Sequence, residues 1–168
     1  MTLSAISKLT NCQEMLDDYR KVVSLNDPNH PYSIIDSALQ RAVLLLNEQP
    51  GVQTTDSCAS HPDTVSPKHI FYCAFLVTDE GFGFLGDLVM TFTGLISGNP
   101  HIEYLLSQVQ LRHRLRLIAH DHPHVGHIWS INVPSEDSTT AAFLASCFTE
   151  AVENVINDRR ARPLQGTS

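Results

Sequence analysis

The chain has no CxxC pair, no apolar run long enough to cross a membrane, and few charged side chains. Each shortage removes a class of protein. The four cysteines, Cys12, Cys58, Cys73 and Cys147, stand far apart, which encodes neither a disulfide framework nor a paired-cysteine zinc site; the pattern is that of reduced thiols in a cytosolic protein. Nothing approaches the ~18 consecutive apolar residues of a membrane helix. The opening "MTLSAISKLTNCQEMLDDYRK" lacks the basic-then-apolar order of a signal peptide, so the expected compartment is the cytoplasm. Charged residues make up 17%, against about a quarter in an average protein. Basic residues are the scarcer kind: 11 Lys and Arg against 18 Asp and Glu leave a net charge of −7. That balance argues against general nucleic-acid binding, which works by displacing counterions with protein cations. The glycines of "EGFGFLG" lack the lysine and hydroxyl of a phosphate-binding GxxxxGK[ST] loop. No HExxH and no distinctive Ser-His-Asp arrangement is present.

What remains is enough for one folded domain. A chain of 168 residues with 42% hydrophobic content buries roughly two thirds of its unfolded surface without staples. We expect a single domain over 1–168: a helical N-terminal extension and loop (1–30), an α/β core (31–158) and a flexible tail (159–168). Helical spacing recurs loosely through residues 3–25, and "NDPNHPY" reads as a loop. "YSIIDSALQRAVLLLNEQPG" predicts a helix with Ser33 as N-cap, Asp36 in its first turn and an apolar stripe of Ile35, Ala38, Leu39, Ala42, Leu45 and Leu46. "VQTTDSC" predicts a short strand running into a polar loop, and "KHIFYCAFLVT", apolar on both faces, a central strand. Asp79 is expected to cap a helix over 80–96, with Phe82, Leu85, Val89, Phe92 and Ile96 on its inner face. "LRHRLRLIAH" and "HIWSINVP" alternate as strands joined by the turn "DHPHVG". Ser135, with Glu136 and Asp137 in the first turn, opens a last helix buried along Ala141, Leu144, Cys147, Phe148, Ala151, Val152 and Val155. The expected fold is an α+β or α/β layered sandwich of about four strands in ββαββα order, its helices mainly on one face. Phe71, Phe75, Phe82, Phe92, Phe143 and Phe148 are expected in the core rather than on a base-stacking platform, with Cys73 and Cys147 beside them.

Three constellations carry chemical potential. In "TTDSCASH", Asp56, Ser57, Cys58 and His61 crowd one segment; a Cys-His dyad, half a metal site, and a loop bonding its own backbone are all open there. "HDHPHVGH" sets His120, His122, His124 and His127 close together. Imidazoles bind transition metals, but the spacing matches no zinc signature and a turn tip also collects exposed polar residues. In an extended segment Arg112, Arg114 and Arg116 share one face, while Leu111, His113, Leu115 and Leu117 share the other. If the register aligns them with Ser130 and Asn132, the arginines gain a polar floor, with Trp129, Ile131 and Val133 turned to the core. Guanidinium forks suit phosphate or carboxylate, and this is the strongest of the three signals.

The helix leading into "VQTTDSCASH" resembles the wybutosine-synthesis tRNA methyltransferase family, in which a helix passes through an Asn-containing turn into a strand ending in a Thr-Ser-Ser-Cys-Ser-Gly-Arg type motif. Ile35-Asp36 is similar to its helix start, Leu46-Asn47 to its helix end, and Thr54-Thr55-Asp56-Ser57-Cys58 to its strand and loop. Ala59 and Ser60 replace the motif's Ser-Gly pair, and His61 stands where it has Arg. The resemblance implies an α/β fold, S-adenosylmethionine as cofactor and N-methylation of a hypermodified guanine in tRNA. The loop also resembles those of small bacterial and phage proteins, which implies a shared fold and no particular reaction. Whether the protein is an enzyme stays open between two expectations. One is a small α/β protein that binds an anionic small molecule or nucleotide through Asp56, Ser57, Cys58, His61, Arg112, Arg114 and Arg116. The other is a non-enzymatic regulator or inhibitor that meets a protein partner through its acidic surface.

Overall fold

The computed structural model describes residues 36–60, 70–118, 124–135 and 137–161, with the backbone alone over 115–118 and 124–127. The expected N-terminal extension, the centre of the histidine turn and residues 162–168 lie outside these, and the N-cap of the first described helix is Asp36, not Ser33, so Asp36 precedes the first turn instead of standing in it. Helix α1 (Ser37–Asn47) buries Leu39, Ala42, Val43 and Leu46, spaced three and four apart so that they fall on one stripe. It ends before Gly51, whose φ of +71° turns the chain into strand β1 (Val52–Ala59). Strand β2 (Ile70–Val77) returns antiparallel to β1. Helix α2 (Asp79–Ser97) and a 3-10 helix (Glu103–Gln108) then lead to strands β3 (Gln110–Ile118) and β4 (His124–Pro134), an antiparallel pair, and helix α3 (Ser138–Ala161) closes the order.

The four strands form one sheet in the order β1-β2-β4-β3. Every pairing in it is antiparallel, which settles the α+β form of the expected sandwich. β2 is internal, as its two-sided apolar pattern required. One sheet face carries Val52, Ala59, Phe71, Cys73, Phe75, Val77, Ile131 and Val133 into a single core with the buried stripes of all three helices. At its centre Phe71, Phe92 and Phe148, one ring each from β2, α2 and α3, stand 5.3–5.5 Å apart between centroids. Tilted and edge-on contacts of this kind add about 0.5–1.5 kcal/mol per pair beyond the area they bury.

Several local expectations are corrected. The first strand does not give way to a loop at Asp56: pairing continues through Ala59, with a register irregularity between Thr54 and Asp56. Thr78 rather than Asp79 is the N-cap of α2, and Asp79 sits in the first turn. Because Gly81 is pressed against Gly51, the buried stripe runs through Gly81, Phe84, Leu85 and Leu88, which turns Phe82 outward at 53% exposure. Phe143 is likewise exposed. The last helix starts at Ser138 rather than Ser135, because the Asp137 carboxylate accepts the Thr140 N–H at 2.6 Å and so caps it. The helix also outlasts the expected boundary at 158. Arg159 and Arg160 favour its negative C-terminal end, and Arg159 pairs with Asp87 of α2 at 2.8 Å while lying over the Phe84 ring.

Candidate anion-binding face

The irregularity at Thr55 decides which residues of "TTDSC" can act together. Side chains alternate along a strand, so a regular β1 would put Asp56 on the same face as Thr54. The extra residue reverses that parity. Thr54 pairs with Phe75 and Ser57 with Cys73, on the helix-covered face, while Asp56 pairs with Ala74 and Cys58 with Tyr72, on the opposite one. Ser57 is thereby separated from Asp56 and Cys58, with which the sequence grouped it; His61 lies outside the described residues.

The opposite face is ordered by register. Three rows of four residues cross it: Cys58, Tyr72, Asn132 and Gln110; Asp56, Ala74, Ser130 and Arg112; Gln53, Leu76, Ile128 and Arg114. The expected alignment of the arginine strand with Ser130 and Asn132 is therefore present, and Trp129, Ile131 and Val133 do turn to the core. Arg116 pairs with Gly126 in the same register. On this face Ala74, Leu76, Ile128, Ser130 and Asn132 of the two inner strands are buried, and so are Gln53 and Cys58 of β1. Exposed on it are Asp56 on β1 and Gln110, Arg112 and Arg114 on β3. With strands about 4.8 Å apart, the Asp56 and Arg112 backbones are about 14 Å from one another, too far for an ion pair.

Short polar contacts fix the middle. Asn132 donates from Nδ2 to Ser130 Oγ at 2.8 Å and to the Ser130 carbonyl at 3.2 Å. Tyr72 is pushed well above the ordinary phenol range, first by burial, then by the charge of Asp56 and the hydrogen bond the phenol donates to it, and by Cys58, with Arg114 opposing. Burial also pushes the Cys58 thiol up, Asp36 and Asp56 add to the rise, and a hydrogen bond from the Ser60 backbone opposes them. A thiol held in that state is a poor nucleophile. The Cys58 environment is that of a packed strand residue.

On β3 the balance of charge is different. Arg112 is steadied by Gln110, whose Oε1 accepts from Nε at 2.8 Å and also from Nη2. The ion pairs among the described residues join Arg41 to Glu153 and Arg159 to Asp87. Neither Arg112 nor Arg114 meets a carboxylate among them. Two guanidinium groups on one face thus remain available to an anion.

Two residues at the ends of α1 hold β1, Asn47 near its start and Asp36 at its end. Asp36 Oδ2 accepts the Ala59 N–H at 2.5 Å. Asn47, buried at the other end of α1, accepts at a single oxygen from the Thr54 N–H at 2.7 Å, the Thr54 hydroxyl at 2.8 Å and Gln53 Nε2 at 3.0 Å. Both ends of the helix are therefore bolted to the strand that carries Asp56 and Cys58. Just past that strand Ser60 takes φ = +76°, a left-handed value that favours glycine. Tyr72 is the member of the face that sequence reasoning passed over. Its parity, opposite to Phe71, Cys73 and Phe75, was the available signal.

Among the described residues no group of three or more His, Cys, Asp or Glu is placed to hold a metal ion. His124 and His127 fall within β4, paired with Ile118 and Leu115, while His120 and His122 lie outside the described residues. No described helix is long and apolar enough to cross a membrane. Comparisons with protein-family models, with curated proteins and with solved structures find no match.

Proposed function

We propose that this protein binds a small anionic ligand, a nucleotide or an adenosyl compound in the first instance, at the β3 edge of the sheet face opposite the helices. One observation carries the proposal: Arg112 and Arg114 are exposed on one face without a carboxylate partner among the described residues, in a chain of net charge −7. A bidentate guanidinium contact to phosphate or carboxylate contributes about 1.5–3 kcal/mol. Because Ala74, Leu76 and Ile128 are already buried, the ligand meets this face at its rim and not at its centre. Asp56 and Cys58, on β1 at the far edge of the sheet, stand apart from this rim, and no thiolate chemistry is asked of Cys58.

The methyltransferase reading is kept within this proposal. Three local features support it: left-handed Ser60 stands where the motif carries glycine, and Asp36 and Asn47 anchor the helix at the two positions that the resemblance aligns. Titration calorimetry with S-adenosylmethionine, S-adenosylhomocysteine and common nucleotides tests both levels. Saturable heat that disappears in the triple variant Arg112→Ala, Arg114→Ala, Arg116→Ala is the expected result. Absence of heat with every compound would end the proposal, and heat with nucleotides but neither adenosyl compound would end its methyltransferase form.

A further inference from the structure

Gln110, Arg112 and Arg114 recur at every second residue of β3, on one face and about 7 Å apart along the strand. All three are exposed. The contact between the first two decides how the second can act. Gln110 Oε1 accepts from Arg112 Nε at 2.8 Å and also from Nη2, so one amide oxygen occupies the side edge of the guanidinium, where Nε and one Nη lie together. A guanidinium carries five N–H groups in a rigid plane. With two of them on Gln110, three remain, one on Nη2 and two on Nη1, and Arg112 makes no further hydrogen bond among the described residues. Those three form the end of the fork, which can still take two oxygens of a phosphate or carboxylate.

The chemical nature of the acceptor matters as much as its position. Elsewhere among the described residues Arg41 is held by Glu153 and Arg159 by Asp87, both carboxylates. A carboxylate at position 110 would occupy the same edge and oppose the charge of Arg112. The amide of Gln110 restrains the side chain and leaves its full charge to an anion. A long side chain restrained before binding also gives up less freedom when the ligand arrives.

We propose that Gln110 is the positioning residue of the anion site, acting through Arg112: it holds the side edge of the guanidinium with a neutral acceptor and leaves the end of the fork to the ligand. This rests on the small-anion reading above and adds to it a residue that sets affinity without contributing charge.

The test is a double-mutant cycle on the full-length protein with ATP as the probe, each affinity measured over a range of salt concentrations. Gln110→Met nearly keeps the size of the side chain and removes its acceptor, while Gln110→Glu keeps an acceptor and makes it a carboxylate. Gln110→Met is expected to bind ATP about three- to tenfold more weakly than the parent, with the same dependence on salt because no charge is lost. In the Arg112→Ala background the same change should cost less than about twofold. Gln110→Glu should weaken binding at least about tenfold and make its salt dependence shallower. Gln110→Met binding as tightly as the parent, losing as much affinity without Arg112 as with it, or Gln110→Glu matching the parent would each overturn the positioning role and leave the small-anion site standing. Absence of ATP binding by the parent at every salt concentration would overturn both.

Discussion

Cys58 drew attention in the sequence as a nucleophile, and its surroundings assign it a different part. It is buried on the sheet face near Asp56, with a thiol pushed above its ordinary value of 9.0. Modification by a thiol reagent at pH 7.5 should therefore be far slower in the folded protein than in denaturant. Cys58→Ser should leave anion binding within about twofold, since a loss of that size is below the worth of one hydrogen bond. Binding abolished by that change, in a variant that remains folded, would restore the thiol to the mechanism. Cys58, Cys73, Cys147 and Tyr72 are all raised in the fold. An acid whose folded value is raised keeps its proton longer when folded, so its stabilising contribution is complete below the unfolded value and declines above it. Stability should fall from about pH 9, where unfolded thiols ionise, and more steeply above about pH 10, where unfolded tyrosine follows. Thermal melts from pH 7 to pH 11 would show this, with Tyr72→Phe reducing the slope only in the upper part of the range.

Strand β1 depends on α1 more than on its own sequence. Asn47 satisfies three donors with one oxygen, and Asn47→Ala leaves the Thr54 N–H and two side chains without it in a buried place. Leaving a buried donor unsatisfied costs about 1–3 kcal/mol, so chemical denaturation should show a loss in that range or above it, against a smaller loss for Asp36→Ala at the half-buried Ala59 N–H. The crossing of Gly51 and Gly81 is tighter still. A Cβ on Gly81 would stand 2.3 Å from the Gly51 carbonyl oxygen, and Gly51 itself has a positive φ, so Gly81→Ala should cost at least the ~1–3 kcal/mol of an overpacked core. The sequence displays these elements unevenly. The stripes of α1 and α3 and the alternation of β3 and β4 are strong periodic signals, and they place the helices and the hairpin correctly. The continuation of β1 through "DSC" is not periodic, because the irregularity at Thr55 breaks the alternation that would announce it. Phe82 misleads for a related reason: the Gly51–Gly81 contact fixes which side of α2 faces inward, and that contact is tertiary.

Across the whole molecule, helices cover one face of an antiparallel sheet and polar groups mark the edges of the other. The parity of Arg112 and Arg114 was legible from alternation alone, whereas the register was not: it sets Arg112 opposite Ser130, Arg114 opposite Ile128 and Asn132 opposite Gln110. Nor was the arginines' lack of a carboxylate partner among the described residues legible, since pairing depends on where acidic side chains from other elements come to rest. Here the candidate on the same row, Asp56, is held across two intervening strands. The separation of Ser57 from Cys58 was equally hidden, because it follows from a one-residue change in register. The central proposal is that Arg112 and Arg114 of β3, which meet no carboxylate among the described residues, hold an anion. Its most direct test is equilibrium binding of a nucleoside triphosphate by the full-length chain and by the Arg112→Ala/Arg114→Ala variant, each at low and high salt. The account predicts an affinity that declines with salt in the parent protein and is at least about tenfold weaker in the variant, as the loss of charge-assisted contacts requires. Equal affinity in the two proteins, or no binding by either, would contradict it.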